Sequence, residues 1–148
     1  MKKQSYSNHR RYVPVYHFVL SSLIIALLVA SVVNVFNLLD EDVIQKGNLF
    51  SANLLVLASL IIGILYIYVR AFALRVQDRV IRSEENFRHF LLTGKPLDGR
   101  IRMSQVIALR FAPDDEFILL CKKAVEKQLT PDEIKKAITR WKGDYHRA

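Results

Sequence analysis

The chain has 148 residues, 51% of them hydrophobic, and carries a formal net charge of +8 from 22 Lys and Arg against 14 Asp and Glu. Its single cysteine, Cys121, excludes an intrachain disulfide framework. The apolar residues crowd between Phe18 and Val69 instead of recurring along the chain, and that concentration argues against a soluble domain with one evenly distributed core.

Residues 1–17 form a basic arm, with Lys2, Lys3, Arg10 and Arg11 and no acid. From Phe18 to Leu39 there follow 22 residues without a charge. A cleaved signal has an apolar centre of about 7 to 15 residues, whereas a helix rising about 1.5 Å per residue needs about 20 to cross a bilayer. A polar gap of nine residues, 40–48, carries Asp40, Glu41 and Asp42 against Lys46 alone, and Leu49 to Val69 adds 21 more uncharged residues. Two such runs so close together read as a transmembrane hairpin, spans 18–39 and 49–69. Basic residues flank it at one side (Arg10, Arg11, Arg70, Arg75, Arg79, Arg82), and the acidic gap lies at the other. The positive-inside rule then places both termini in the cytoplasm, with Arg10, Arg11, Arg70, Arg75 and Arg79 against anionic headgroups. Tyr12, Tyr16, Tyr66 and Tyr68 fall at the same inner level, where amphipathic rings anchor helix ends.

Lipid offers helices no hydrophobic drive to associate, so span contacts use small residues and polar side chains. Ser22, Ala26, Ala30 and Asn34 recur every four residues in the first span, and Ser59 and Gly63 do so in the second. Asn34 and Asn53 lie at matching depths in an antiparallel pair, so the packing face is expected to comprise Ala26, Ala30, Asn34, Asn53, Ser59 and Gly63. The two amides should meet each other or a partner chain, because an unpaired amide in hydrocarbon is costly. Neither span holds an ionisable residue, which argues against a proton relay or ion path.

No breaker follows the second span, and Phe72, Ala73, Val76, Val80, Phe87, Phe90 and Leu91 form an apolar helical stripe. The pattern predicts one helix from about Phe50 to Thr93, its juxtamembrane part 70–93, capped by Gly94 with Pro96 beyond. The stripe needs a cover: the C-terminal helices, a second copy, or the bilayer surface. Residues 98–148 read as a small helical cytoplasmic domain with helices near Ser104–Phe111, Asp114–Gln128 and Pro131–Lys142. Thr130 and Glu133 make a capping box with Pro131 in the first turn, and Ile134, Ala137, Ile138 and Trp141 form one face. Phe117, Leu120, Ile134, Ile138 and Trp141 are the expected core.

Three sharper readings are weaker than structural ones. A helix-turn-helix would present Lys135, Lys136, Thr139 and Arg140 to DNA, yet Asp132 and Glu133 occupy the turn that should meet bases, and no glycine marks the joint. His9, His17 and His146 lack ligand spacing, so no metal or other cofactor is expected. Asp114, Asp115 and Glu116 open a helix, where carboxylates answer the dipole, and no catalytic constellation appears.

The segments QSYSNHRRYVPVYHF (Gln4 to Phe18), QVIALRFAPDDE (Gln105 to Glu116) and LTPDEIKKAITRWKGDYHR (Leu129 to Arg147) resemble a bacterial family of small two-span membrane proteins of unknown function. The resemblance covers nearly the whole chain and implies an inner-membrane protein with a helical cytoplasmic tail. Members sometimes carry a transporter-permease label, but a single hairpin without internal charge offers no path of its own. The expectation is therefore an all-α, non-enzymatic membrane protein. It would anchor a basic helical domain as a binding or accessory subunit, with a membrane-protein partner or as a homo-oligomer. The alternatives are a tethered nucleic-acid binder and a transporter accessory subunit.

Overall fold

The computed structural model describes residues 4–8, 12–40 and 46–144. Arg10, Arg11, His9, His146 and the acidic pair Glu41 and Asp42 lie outside the described residues. The fold is all-α, with no strand among the described residues, and its helices are α1 (Ser21–Asp40), α2 (Lys46–Thr93), α3 (Met103–Leu109), α4 (Asp114–Glu126) and α5 (Pro131–Ala137). A π-helical turn, Val15–Leu20, leads into α1. The chain divides into two compact units, one formed by 12–40 with 46–72 and the other by 4–8 with 73–144.

In the first unit α1 turns Ser21, Ile24, Leu28, Ser31, Val35 and Leu38 inward, and α2 answers with Leu49, Ala52, Val56, Ser59, Gly63 and Tyr66. These positions alternate by three and four, the spacing of ridges that interdigitate at a shallow crossing. Ser31 and Ser59 are buried at 5% and 1% exposure, with their hydroxyls 3.5 Å apart. Each also donates to a backbone carbonyl of its own helix, Ser31 to Leu28 and Ser59 to Val56, so neither hydroxyl is stranded in an apolar setting. A Cβ on Gly63 would come within 3.9 Å of Ile24, ordinary contact, so the glycine is one small residue among several here. The outer surfaces are apolar: Leu23, Ile25, Leu27, Phe36, Phe50, Leu57, Ile64 and Ile67 are all exposed.

The expected span contact is corrected at four positions. Ala26, Ala30, Asn34 and Asn53 are exposed, not packed between the helices. Asn34 and Asn53 share a depth but not a direction, because Asn53 stands one residue, about 100°, around the helix from buried Ala52. Its amide nitrogen donates to the Leu49 carbonyl one turn back, 2.9 Å away, which satisfies part of the amide without a neighbour. Ser59 and Gly63 lie in the contact.

In the second unit the core gathers Ile81 from α2, Ile101, Val106, Ala108, Leu109, Phe111 and Ala112 from the α3 region, Phe117, Leu120, Cys121 and Ala124 from α4, and Ile134 and Ile138. Trp141 packs against this cluster, its ring 5.0 Å from that of Phe111. Gly94 closes α2 at φ +70°, with its N–H on the Phe90 carbonyl at 2.8 Å, as the cap predicts. The Thr130–Glu133 capping box is present, with Pro131 in the first turn. Gln128, at φ 49°, ends α4.

One expectation fails in this unit, and one left open is narrowed. Of the three covers open to the α2 stripe, the C-terminal helices are not the one: Val76, Val80, Phe87, Phe90 and Leu91 are each 50% or more exposed, and the core takes Ile81 with Glu85, both under 9% exposed. Helix α5 stops at Ala137 instead of reaching Lys142, and Ile138 is extended at φ −76°, ψ 121°. Ala137 is exposed, while Ile138 still reaches the core from the extended segment.

Candidate functional site

The second unit is held by polar anchors, and these are where its chemistry concentrates. Arg88 on α2 is the most connected. Its Nε donates to the Asp114 carboxylate at 2.6 Å, one terminal nitrogen to the Glu85 carboxylate at 3.0 Å and the other to the Ala112 carbonyl at 2.7 Å. Its guanidinium also lies 4.3 Å from the centre of the Phe117 ring. Arg88 therefore ties α2 to the start of α4 through a planar fork that a lysine could not reproduce. Burial pushes the Glu85 carboxyl up, with the Arg88 charge opposing.

Gln105 is a second anchor, only 3% exposed. Its side-chain oxygen accepts the Arg102 N–H at 2.7 Å, and its amide nitrogen donates to the carbonyls of Leu129 at 2.8 Å and Ala124 at 3.4 Å. One amide thus caps α3 and fastens the α4–α5 joint to it.

Glu116 ends α5. Its carboxylate accepts the N–H groups of Thr139 (2.9 Å) and Arg140 (3.1 Å), together with the Thr139 hydroxyl. These bonds, the Thr139 hydroxyl first, hold its carboxyl below the usual carboxylate range. The tail then runs extended over the core, with the Lys142 N–H on the Phe111 carbonyl at 2.8 Å and the Arg110 guanidinium on Asp144 at 3.1 Å.

The N-terminal segment closes on this tail. Gln4 makes a reciprocal pair with the Asp144 backbone, donating to its carbonyl at 3.1 Å and accepting its N–H at 2.8 Å. The Tyr6 hydroxyl donates to the Asp132 carboxylate at 2.6 Å, and Lys136 lies 5.4 Å from the centre of the same ring. Such pairing across 126 to 140 positions of sequence has no local signal.

The residues singled out for DNA are dispersed by this geometry. Lys136 pairs with Asp132 at 2.8 Å, Arg140 pairs with Asp115, and Thr139 is held by Glu116, so the four do not share one helical face. The acids at the start of α4 are engaged too: Asp114 by Arg88, Asp115 by Arg140, Glu116 by Thr139. Among the described residues no three or more His, Cys, Asp or Glu side chains cluster as metal ligands. His17 sits on the Val13 backbone and His89 on the Lys95 carbonyl. Cys121 is buried, and burial raises its thiol to about 12. Of the expected core, Phe117, Leu120, Ile134 and Ile138 are buried and Trp141 partly so.

In the first unit Tyr16 and Tyr66 stack with ring centres 4.5 Å apart, and each hydroxyl donates to the other's backbone carbonyl, at 2.5 and 3.2 Å. Arg70 lies over the Tyr16 ring at 5.6 Å, while Tyr12 and Tyr68 are exposed. Arg75 and Arg79 are exposed. Two helices, Val15–Leu39 and Asn48–Thr93, are long and apolar enough to cross a membrane.

The chain belongs to a family of unknown function, DUF6526, whose model matches residues 1–148. No curated protein and no solved structure matches it.

Proposed function

We propose that the chain is an integral protein of the bacterial inner membrane. In this reading it holds a small helical domain at the cytoplasmic face as a non-enzymatic binding or accessory subunit. The observation that carries the reading is how little of the two long apolar helices is covered. In their most apolar stretches only 6% and 11% of the residues are buried, whereas the core helix of a soluble protein would be mostly enclosed. Lipid is the solvent in which such a surface is stable.

Two observations support placing both ends on one side. Two spans return the chain to the side from which it started, and Gln4 and Tyr6 hydrogen-bond to Asp144 and Asp132 near the other end. The arginines beside the second span favour the cytoplasmic side. Arg70, with Tyr16 beneath it, and Arg75 are best placed for anionic headgroups.

Membrane fractionation with reporter fusions tests the reading. The chain should resist extraction by alkaline carbonate, and cytoplasmic-side reporters should be active at both termini. Recovery in the supernatant without detergent, or termini reporting from opposite sides, would overturn it.

A further inference from the structure

The apolar stripe that the sequence marks on α2 is left uncovered by its own chain, and its register says what fits it. Val76, Val80, Phe87 and Phe90 are 62%, 50%, 61% and 50% exposed. With Ser83 they step by four, three, four and three, the a/d alternation of a coiled-coil seam, in which Val80 and Phe87 take a and Val76, Ser83 and Phe90 take d. Ile81 and Glu85, buried against the chain's own core, then fall at b and f, on the opposite side of the helix from the seam. The domain packed on that side leaves the seam open.

We infer that this face is the contact with a second copy of the same chain, forming a parallel, in-register two-stranded coiled coil over residues 76–91. Three observations select that occupant. Arg79 falls at g and Glu84 five residues later at e, the pair that meets across a parallel seam, twice by symmetry; neither has an ion-pair partner among the described residues. An antiparallel pairing sets g against g and e against e, so Arg79 and Glu84 do not meet. The area suits a dimer. Half-exposed Phe87 and Phe90, Val76 and Val80, and Leu91 beside them at 67% exposure offer about 500 Å² of apolar surface. The flanking polar residues extend this toward the roughly 800 Å² per partner of a standard interface. Finally, two copies inserted in one membrane with one topology run α2 in the same direction, so this orientation rests on the membrane reading above.

Cysteine crosslinking of the full chain in its native membranes tests the inference. Val76→Cys, Val80→Cys, Phe87→Cys and Phe90→Cys are made one at a time, keeping Cys121, which is buried. Exposed Arg75 and Lys122, off the seam, supply the controls Arg75→Cys and Lys122→Cys. All four seam positions should yield disulfide-linked dimer at least tenfold above the controls. Equal yield at the controls, no dimer, or crosslinking at a single level of the seam would overturn the inference, the last because an antiparallel pair brings identical positions together only at its crossing. In parallel, Arg79→Glu should lower the dimer fraction several-fold at low salt, and Arg79→Glu with Glu84→Arg should restore it. A double variant no better than the single one would refute the register. Sedimentation of the same samples reads the anchoring separately, since seam-specific dimers in a soluble fraction would end the membrane reading and leave the coiled coil standing.

Discussion

Gln105→Met isolates what one buried amide contributes. Methionine nearly matches glutamine in length and shape, so the substitution opens little cavity and chiefly deletes the hydrogen bonds to Leu129, Ala124 and Arg102. Arg102 is exposed, and its N–H regains water; the Leu129 carbonyl, part-buried against the α4–α5 joint, does so less readily. An acceptor left without a partner costs about 1–3 kcal/mol, and the lost bonds bring the expected deficit to about 2–3 kcal/mol. Trp141 is the chain's one tryptophan and packs on the core of this domain, so its fluorescence follows the domain's unfolding in urea while the protein stays in detergent. With a slope of about 1 kcal/mol per molar for so small a unit, the midpoint should fall by about 2–3 M. Gln105→Glu is the informative companion. It keeps an acceptor for Arg102 but places a carboxylate where exposure is 3%, so its deficit should widen as the pH rises and the group is asked to ionise. A Gln105→Met midpoint within about 0.5 M of the parent would refute the assignment, because by the same slope it limits the amide's contribution to about 0.5 kcal/mol.

The same fluorescence reads the tail's pH dependence. The Glu116 carboxyl is lowered in the folded chain by Thr139 and Arg140, so its stabilisation is complete above the unfolded carboxylate pKa and is lost as the pH falls through the folded value. Acidification below about pH 4.5 should therefore loosen residues 138–144, and Glu116→Gln should flatten that part of the profile; an unchanged acid limb in the variant would count against it. Cys121, with its thiol pushed up to about 12 and its side chain buried, should resist maleimide at neutral pH and react only as the domain opens. Rapid stoichiometric labelling of the native chain would contradict that environment.

The features legible in the sequence are those with local causes. Gly94 announced the end of α2 because only a residue tolerant of positive φ closes a helix that way, and Thr130 with Glu133 announced the start of α5 through bonds spanning three residues. Phe117 and Leu120 followed from helical period alone. The misread features depend on partners far along the chain. Nothing near Thr139 says that Glu116, 23 residues earlier, will take its N–H and stop the helix. The Ala26 and Ala30 stripe was a sound motif for close helix approach, but α1 packs its Ser31 face instead, against the Ser59 face that the sequence did mark, and both hydroxyls satisfy themselves on their own helices. Arg88 and Gln105 gave no signal, since a charged residue on a long helix and a glutamine near a helix start are ordinary surface residues until their partners arrive.

The choice of face on α2, whose cover the sequence left open, is the most informative outcome. Burial of apolar area alone would have turned Phe87, Phe90 and Leu91 inward, each large and at least half exposed. The chain instead buries Glu85 and Arg88, a pair whose desolvation is offset only because Asp114, the Ala112 carbonyl and the Phe117 ring complete the coordination. A buried ion pair is a poor source of stability, but it fixes orientation, and here it fixes the domain on the side of α2 away from the aromatic stripe. The polar network thus fixes which face of α2 the domain covers, and the face it leaves, with Phe87 and Phe90, is the one inferred above to meet a second copy.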